Sequence, residues 1–201
     1  MSLKRVYIVR HGETDYNVQH RWQGQLDVPL NKVGKQQAKS LATYFALQPL
    51  DAIYASDLKR TMDTVRPLAK KRQLTIVPDK RLREIHLGMF QGLKRNEIHD
   101  AYPREAMRWD NDDTFVVPHG ESRSQVQDRM LTIWQEVIQQ IDKQHVMLVS
   151  HGGSMRLLMR RIFPDSLEQF HFANTSITVL DRDEQNQWHI TALNTLPHLD
   201  D

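Results

Sequence analysis

Two apolar segments that each lead into a histidine and a glycine place the strongest constraint on the fold of this 201-residue chain. The first, "VYIV" at residues 6–9, is followed by Arg10 and His11, and the second, "VMLV" at residues 146–149, leads to His151. Continuous β-branched and aliphatic runs are typical of strands that are covered on both faces in a parallel sheet. Because ligands of open α/β sheets bind at the carboxyl ends of such strands, we expect both histidines to face a ligand crevice.

Strand-like and helix-like segments alternate along most of the chain, which predicts an α/β fold. Helices are expected after Asn31, over the apolar positions between Leu58 and Ala69, after Ser122, and after the second His-Gly pair. Pro67 is expected to kink or shorten the second of these helices. Further strands are predicted at residues 51–56, 74–78, 175–181 and 188–194, and the last two indicate a hairpin at a sheet edge. The predicted architecture is a three-layer αβα fold with a mostly parallel central sheet and an antiparallel edge.

Residues 86–121 interrupt this alternation with short segments, two prolines and several aromatic residues. Such a segment is typical of a cap that is inserted over the carboxyl ends of the strands. No internal repeat, low-complexity stretch or linker divides the chain, and its length suits one hydrophobic core. We therefore expect a single domain over residues 1–201 with a cap-like insertion at about 86–121. The insertion is expected to determine substrate selectivity, and it contains four candidate cations: Lys94, Arg95, Arg104 and Arg108. Most of these four are expected to lie on solvated helix faces.

Composition excludes several classes of function. The 27 lysines and arginines against 25 acidic residues give a net charge of +2, too small a field to indicate nucleic-acid or membrane partners. The absence of cysteine excludes disulfides, thiolate catalysis and cysteine-based zinc sites, and no His-Glu-x-x-His pattern indicates a metal. The start of the chain lacks the apolar run of a signal peptide, and no segment approaches membrane-spanning length. These features predict a soluble cytoplasmic protein.

Topology brings further candidate residues to the crevice. Right-handed crossovers place His11 and His151 at the same end of the sheet, although 140 positions separate them. Arg60 lies in the first turn of the helix after the second strand, where backbone N–H groups and the positive helix end attract anions. Glu84 follows the third strand. Each residue alone has an ordinary structural explanation, such as a solvated arginine or a surface salt bridge, but together they indicate an anion-binding site.

Five motifs follow one another over nearly the whole chain: "RHGETDYN" at 10–17, "SDLKRT" at 56–61, "LREIHLGMFQG" at 82–92, "GES" at 120–122 and "VSHGG" at 149–153. In sequence and in order they resemble the motifs of the histidine phosphatase superfamily, the phosphoglycerate mutase-like proteins. The resemblance implies that His11 is the nucleophile that becomes phosphorylated and that Glu84 donates a proton. It also implies a phosphate pocket completed by Arg10, Arg60 and His151. Further candidates for binding the ester or its phosphate are Asn17, Gln23 and Gly152.

The chemistry of phosphoryl transfer agrees with this assignment. Charge spreads over the equatorial oxygens of the transferring group, so catalysis consists mainly of positioning and electrostatic stabilisation. An arginine guanidinium group can hold two phosphate oxygens at once and remains charged, so Arg10 and Arg60, with His151 donating a hydrogen bond to the phosphate, can take the place of a metal. The nucleophile, His11, needs one neutral ring nitrogen, and we expect a backbone carbonyl to hold its other ring N–H. The implied reaction is hydrolysis of a phosphate monoester in two steps, without metal or cofactor.

Three functions compete at this point. A phosphatase acting on a small-molecule phosphate ester is favoured, because the chain is short for the cofactor-dependent mutases that it resembles. A phosphoglycerate mutase is the second candidate, since it would use the same chemistry of His11. A non-catalytic phosphoprotein-binding module is the third, and the presence of His11 and Glu84 argues against it. The sequence leaves open the oligomeric state and the substrate, which could be a sugar phosphate, a phosphoglycerate, a nucleotide-loop phosphate or a phosphoprotein.

Overall fold

A computed structural model of the chain describes residues 3–140, 142–166 and 169–199. Its strands are β1 (Arg5–Arg10), β2 (Ala52–Ala55), β3 (Ile76–Pro78), β4 (His145–Ser150), β5 (Ile177–Arg182) and β6 (Trp188–Thr195). Its α-helices are α1 (Asp15–Val18), α2 (Lys32–Tyr44), α3 (Lys59–Arg72), α4 (Arg95–Ala101), α5 (Pro103–Asn111), α6 (Arg123–Ile138) and α7 (Gly152–Ile162). None of these helices combines the length and the apolarity that crossing a bilayer requires.

The six described strands form one mixed sheet in the order β3-β2-β4-β1-β5-β6. Strands β1 to β4 pair in parallel, whereas β5 is antiparallel to both β1 and β6. The predicted parallel sheet with an antiparallel hairpin at its edge is therefore confirmed. In the pairing of β1 with β4, Arg10 lies opposite Ser150, so the next residue of each chain segment leaves the sheet at the same point. This register brings His11 and His151 together.

The sheet is covered on both faces, as the apolar first strand predicts. Side chains alternate along β1, so Val6 and Ile8 join one buried cluster while Tyr7 and Val9 join the other. The first cluster also holds the buried apolar residues of α6 and α7. The second holds Leu41 and Ala42 of α2 and Val65, Leu68 and Ala69 of α3. The result is the three-layer arrangement that the alternation of strands and helices predicts.

Residues 86–121, here called the cap, contain a 3-10 turn at Gly88–Phe90 followed by α4 and α5. Their buried apolar side chains belong to the cluster that α6 and α7 also share: Leu87, Phe90, Ile98, Ala106, Trp109, Phe115 and Val117. The cap therefore has its apolar side packed into the same core as the helices beneath it. Five of its residues line the cavity described below: Leu87, Arg95, Trp109, Asp110 and Asp113.

The helix boundaries follow from capping, with one correction. The Asn31 side chain accepts a hydrogen bond from the Gly34 N–H at the start of α2, and Ser122 forms the predicted capping box at the start of α6. The expectation that Pro67 shortens its helix is wrong, because α3 continues to Arg72. Buried apolar and threonine side chains lie on both sides of the proline, and their packing outweighs the loss of one backbone hydrogen bond.

Candidate active site

The two histidines meet at the carboxyl ends of β1 and β4, with their ring centroids 5.1 Å apart. Both side chains are buried. His11 Nδ1 donates to the Gly12 carbonyl oxygen over 2.7 Å, which leaves Nε2 as the unprotonated nitrogen. The backbone carbonyl expected from the sequence is therefore present. Burial, with the nearby charges of Arg60 and Arg10, holds the pKa of His11 well below its ordinary value, so the imidazole is neutral.

His151 is also neutral, because burial and the charge of Arg60 hold its pKa well below the ordinary value. Its Nδ1 accepts a hydrogen bond from Arg60 Nε over 3.2 Å, so its Nε2 carries the proton and donates to Ser56 Oγ over 2.9 Å. Both ring nitrogens thus have protein partners. The expected donation from His151 to a phosphate would require the exchange of Ser56 Oγ for a phosphate oxygen.

Arg60 is fully buried, with 0 % of its surface exposed, rather than solvated. Besides its bond to His151, it donates to the Leu26 and Gly24 carbonyl oxygens over 2.7 Å each. Burial lowers its pKa to about 10, so the guanidinium remains charged near neutral pH. No carboxylate among the described residues forms an ion pair with it. A buried cation that lacks a counter-anion is costly for the free protein and favours an anionic ligand.

Arg10 is the second cation at this position, and burial lowers its pKa as well. Its Nη1 donates to the Phe172 carbonyl oxygen over 2.7 Å, whereas its buried Nε has no hydrogen-bond partner among the described residues. Gly152, the first residue of α7, lies beside it, and a Cβ at this glycine would be 3.4 Å from Arg10 Nε. The arrangement leaves guanidinium N–H groups available to a ligand.

Glu84 lies at the N-terminus of α7 rather than in a surface salt bridge. Its Oε1 accepts from the N–H groups of Ile85 and Ser154 and from Ser154 Oγ, over 3.0, 2.9 and 3.1 Å. Its Oε2 accepts from the Gly153 N–H over 3.0 Å and has no other hydrogen-bond donor among the described residues. A Cβ at Gly153 would lie 2.6 Å from Oε1, so any other residue here would displace the Glu84 carboxylate from this position. The neighbouring arginines pair with other carboxylates.

An asparagine pair orients the loop after β1. Asn17 Oδ1 accepts from the Thr14 N–H, from Thr14 Oγ1 and from Asn174 Nδ2, over 3.1, 3.0 and 3.2 Å. The side-chain Nδ2 of Asn17 has no hydrogen bond among the described residues, and both asparagines line the cavity. Asn174 also donates to the His11 carbonyl oxygen over 3.0 Å. Sequence reasoning missed Asn174, because nothing in the loop before β5 marks it as part of the site.

One cavity of about 830 Å³ contains the site, and most of the predicted residues line it: Arg10, His11, Asn17, Gln23, Arg60, Glu84 and Gly152. His151 does not line it and lies behind Arg60. The buried Gln23 Oε1 has no partner among the described residues. The volume far exceeds that of one phosphate group, so the cavity has room for the rest of an ester. Among the described residues, no cluster of three histidines or carboxylates is arranged to hold a metal ion.

Three of the four cap cations singled out from the sequence, Arg95, Arg104 and Arg108, are exposed to solvent, as expected. Of the four that we selected, Arg95 lines the cavity and forms an ion pair with Asp110. Arg108 stacks on the Phe115 ring instead, and neither Lys94 nor Arg104 is part of the described lining. The cap also lines the cavity with Leu87, Trp109, Asp110 and Asp113, so selectivity in this insertion stays a prediction.

Two arginines of α7 that sequence reasoning missed also line the cavity, Arg156 and Arg160. Neither forms an ion pair or a hydrogen bond with any described residue. Their spacing of four residues after the second His-Gly pair was a signal that could have found them, since it places both on one helix face.

Comparisons with known proteins agree with the site geometry. A family model described as "Histidine phosphatase superfamily (branch 1)" matches residues 6–196. Glucosyl-3-phosphoglycerate phosphatase of Mycolicibacterium vanbaalenii is 39% identical over 166 residues, covering 79% of this chain and 73% of that protein. Phosphoserine phosphatase 1 of Hydrogenobacter thermophilus is 34% identical over 199 residues, covering 97% of this chain and 94% of that protein. Further relatives are named phosphoglycerate mutases or mutase-like proteins.

A solved structure extends the comparison to the fold. Bacillus stearothermophilus YhfR superimposes with a TM-score of 0.87 at 30% sequence identity, covering 98% of this chain and 99% of that chain. The superposition therefore includes the sheet, both helical layers and the cap. Together with the family match over residues 6–196, these similarities establish that the chain belongs to branch 1 of the histidine phosphatase superfamily.

Proposed function

We propose that this protein is a metal-independent phosphatase that hydrolyses a phosphate monoester through a phosphohistidine on His11. One observation carries the proposal: a buried, neutral His11 whose Nδ1 is held by the Gly12 carbonyl oxygen, beside the buried Arg60 and the half-buried Arg10, neither of which forms an ion pair with a described carboxylate. A neutral Nε2 is a nucleophile, and uncompensated guanidinium groups favour a phosphate dianion. A histidine with a purely structural role would need neither an unprotonated Nε2 nor neighbouring arginines without ion pairs.

In the first step, the lone pair of His11 Nε2 attacks phosphorus and forms a P–N bond while the ester P–O bond breaks. Arg10 and Arg60 stabilise the charge on the equatorial oxygens. The leaving alkoxide takes a proton from Glu84, for which Oε2 has a lone pair free of other donors. The alcohol then departs, and the phosphoryl group remains on the histidine.

In the second step, Glu84 acts as a base and takes a proton from water, whose oxygen attacks the phosphohistidine. The P–N bond breaks, its electron pair returns to Nε2 of His11, and inorganic phosphate leaves. Because Glu84 ends the cycle protonated and His11 neutral, the enzyme is ready for the next ester. No metal or cofactor takes part in either step.

The relatives support a small-molecule phosphate ester as the substrate. Their names give glucosyl-3-phosphoglycerate and phosphoserine as esters on which those proteins act. Both esters join the phosphate to a three-carbon unit that also carries a carboxylate. We propose that the substrate of the present chain also contains a phosphorylated three-carbon unit with a carboxylate, since the cavity extends well beyond the phosphate-binding residues.

A phosphoglycerate mutase is a second candidate, and the two unpaired arginines of α7 favour it more than the sequence did. A mutase must retain the dephosphorylated acid or its bisphosphate until the phosphoryl group returns, which requires cations outside the phosphate pocket. Arg156 and Arg160 are such cations. We favour the phosphatase because the cavity of about 830 Å³ is wide enough to admit water beside a three-carbon product.

Phosphate release from a panel of esters, measured in excess EDTA and in ¹⁸O-labelled water, tests the proposal. We expect one ¹⁸O atom from the solvent in each phosphate released, and turnover that survives EDTA. We also expect negligible 2-phosphoglycerate from 3-phosphoglycerate supplied with catalytic 2,3-bisphosphoglycerate. Isomer exchange faster than phosphate release would replace the phosphatase by the mutase, and loss of turnover in EDTA that Mg²⁺ restores would contradict metal independence.

A further inference from the structure

We infer that Arg156 and Arg160 form a carboxylate-binding subsite, which makes phosphate esters of short hydroxy acids the preferred substrates. The inference rests on the proposed phosphatase function and assigns its substrate class to two residues of this chain. Both side chains belong to α7, the helix whose first residues, Gly152 and Gly153, lie beside the phosphate-binding arginine and Glu84.

The helix geometry aligns this subsite with the phosphate site. Gly152, Gly153, Arg156, Leu157 and Arg160 are the residues of α7 that line the cavity, and their spacing defines a single face. The buried residues of α7 that do not line the cavity, such as Met155, Leu158 and Met159, pack into the core. The cavity face therefore presents glycines at the phosphate end and arginines one and two turns further along.

The charges of the cavity wall distinguish these arginines from the others. Each cavity arginine outside α7 and the phosphate site is paired with a carboxylate of the described chain: Arg21 with Glu97, Arg95 with Asp110 and Arg123 with Asp113. Arg156 and Arg160 are exposed and have no ion pair or hydrogen bond with any described residue. The wall of α7 thus has two positive charges that a ligand can neutralise.

The separation of the two sites suits a three-carbon acid. Arg156 lies four residues beyond Gly152, which corresponds to about 6 Å along the helix axis. A phosphate and a carboxylate at opposite ends of a three-carbon unit are separated by a similar distance. The charge of Arg156 reaches the phosphate site, because it adds to the effect of burial in lowering the pKa of Arg10. A carboxylate beside Arg156 would therefore strengthen the binding of the whole ester.

A purely structural explanation covers only part of this arrangement. Cations in the last turn of a helix interact favourably with its dipole, and Arg160 and Arg161 both occupy the last turn of α7. Arg156 lies in the middle of the helix, where this effect is absent. Arg161 shares the last turn but does not line the described cavity, which makes it a matched control.

The test compares two pairs of esters that differ at the carboxylate: phosphoserine with phosphoethanolamine, and 3-phosphoglycerate with glycerol 1-phosphate. We expect Arg156→Gln to lower the ratio of kcat/KM for the carboxylated ester to that for its partner by about 10- to 100-fold. Arg160→Gln should lower the same ratio less, and Arg161→Gln should keep the wild-type ratio. Equal losses for both esters of a pair, or a wild-type ratio near unity, would overturn the subsite.

A binding measurement separates this inference from the proposed function. In the wild-type protein, 3-phosphoglycerate should raise the Tm more than glycerol 1-phosphate does, and Arg156→Gln should remove that difference. If the wild type hydrolyses none of the esters, the phosphatase proposal fails, while a carboxylate-dependent Tm shift that is lost in Arg156→Gln still supports the subsite. If phosphate is released but neither the kinetic ratio nor the Tm difference depends on Arg156, the subsite alone is wrong.

Discussion

The floor of the cavity and its cap both contain arginines, but the two regions use them in opposite ways. On the floor, Arg60 is buried and Arg10 is half-buried, and their hydrogen-bond partners among the described residues are backbone carbonyl groups and a neutral histidine. Around the cap, the cavity arginines are paired with carboxylates, as Arg95 is with Asp110. The floor thus retains positive charge for a ligand, whereas the cap neutralises its own.

The two sets of arginines therefore differ in what they contribute to stability and to function. Ion pairs at partly exposed positions such as those of the cap contribute little to stability and mainly fix geometry. Buried cations without a counter-anion lower the stability of the free protein, and a protein keeps them where a ligand supplies the missing charge. The comparison therefore assigns chemistry to the floor and positioning to the cap.

The largest expected effect comes from removing a charge on the floor. Arg10→Gln should lower kcat/KM for phosphate esters by about a thousandfold, because a preorganised donor to the transferring phosphoryl group is lost. Arg95→Gln, the matched change in the cap, should lower kcat/KM by less than about tenfold, since Arg95 is already neutralised by Asp110. Steady-state kinetics with Tm values as a control for folding measure both effects. Similar losses in the two variants would remove the distinction between the regions.

The next largest effect concerns the proton that Glu84 gives to the leaving group. Glu84→Gln should lower the rate of phosphorylation by about a hundredfold for esters with poor leaving groups, because the general acid is lost. The p-nitrophenolate of an activated ester, p-nitrophenyl phosphate, leaves without taking a proton, so the rate of phosphorylation by this ester should fall less. Rapid-quench measurement of the phosphorylation step for both esters tests this difference. An equal loss for both would mean that Glu84 is not the acid.

The smallest effect is a change in the pH dependence of stability. The pKa of buried His11 is well below its value in the unfolded chain, so the unfolded state binds the proton first and stability falls as pH drops below about 6.5. His11→Asn should reduce the slope of unfolding free energy against pH by up to about 1.4 kcal/mol per pH unit between about pH 6 and pH 5.

Urea unfolding across this pH range measures the slope. His20→Asn is a matched control, because His20 is exposed and its left-handed backbone, with φ of 55°, suits asparagine. The control should retain the wild-type slope. A wild-type slope in His11→Asn would show that the imidazole of His11 titrates alike in the folded and unfolded chains.

Much of the fold follows from the sequence, because its signals are local or topological. The apolar run of β1 predicts a strand covered on both faces, and Val6 and Tyr7 indeed point into different cores. Right-handed crossover connections between parallel strands predict that His11 and His151 lie at the same end of the sheet. The parallel pairing of β1 with β4 confirms this. Capping chemistry likewise predicts the starts of α2 and α6.

The sequence could not predict which charges are compensated. Ion pairs such as Arg95 with Asp110 join side chains whose distances depend on tertiary packing, so no spacing rule identifies them. Asn174 reaches the site from a loop that lies 163 positions after His11, without a motif. The helical continuation through Pro67 depends on packing of α3 against α2, which outweighs local propensity. These features become visible only when distant segments are packed together.

The central claim is that His11 carries the phosphoryl group, and trapping that intermediate tests it most directly. The protein is mixed with a ³²P-labelled ester, quenched in alkali during turnover, and digested for peptide mapping. We predict label on His11 that is stable in base and lost in acid, and His11→Asn should have neither label nor turnover. Label on a different residue, or undiminished turnover by His11→Asn, would contradict the account.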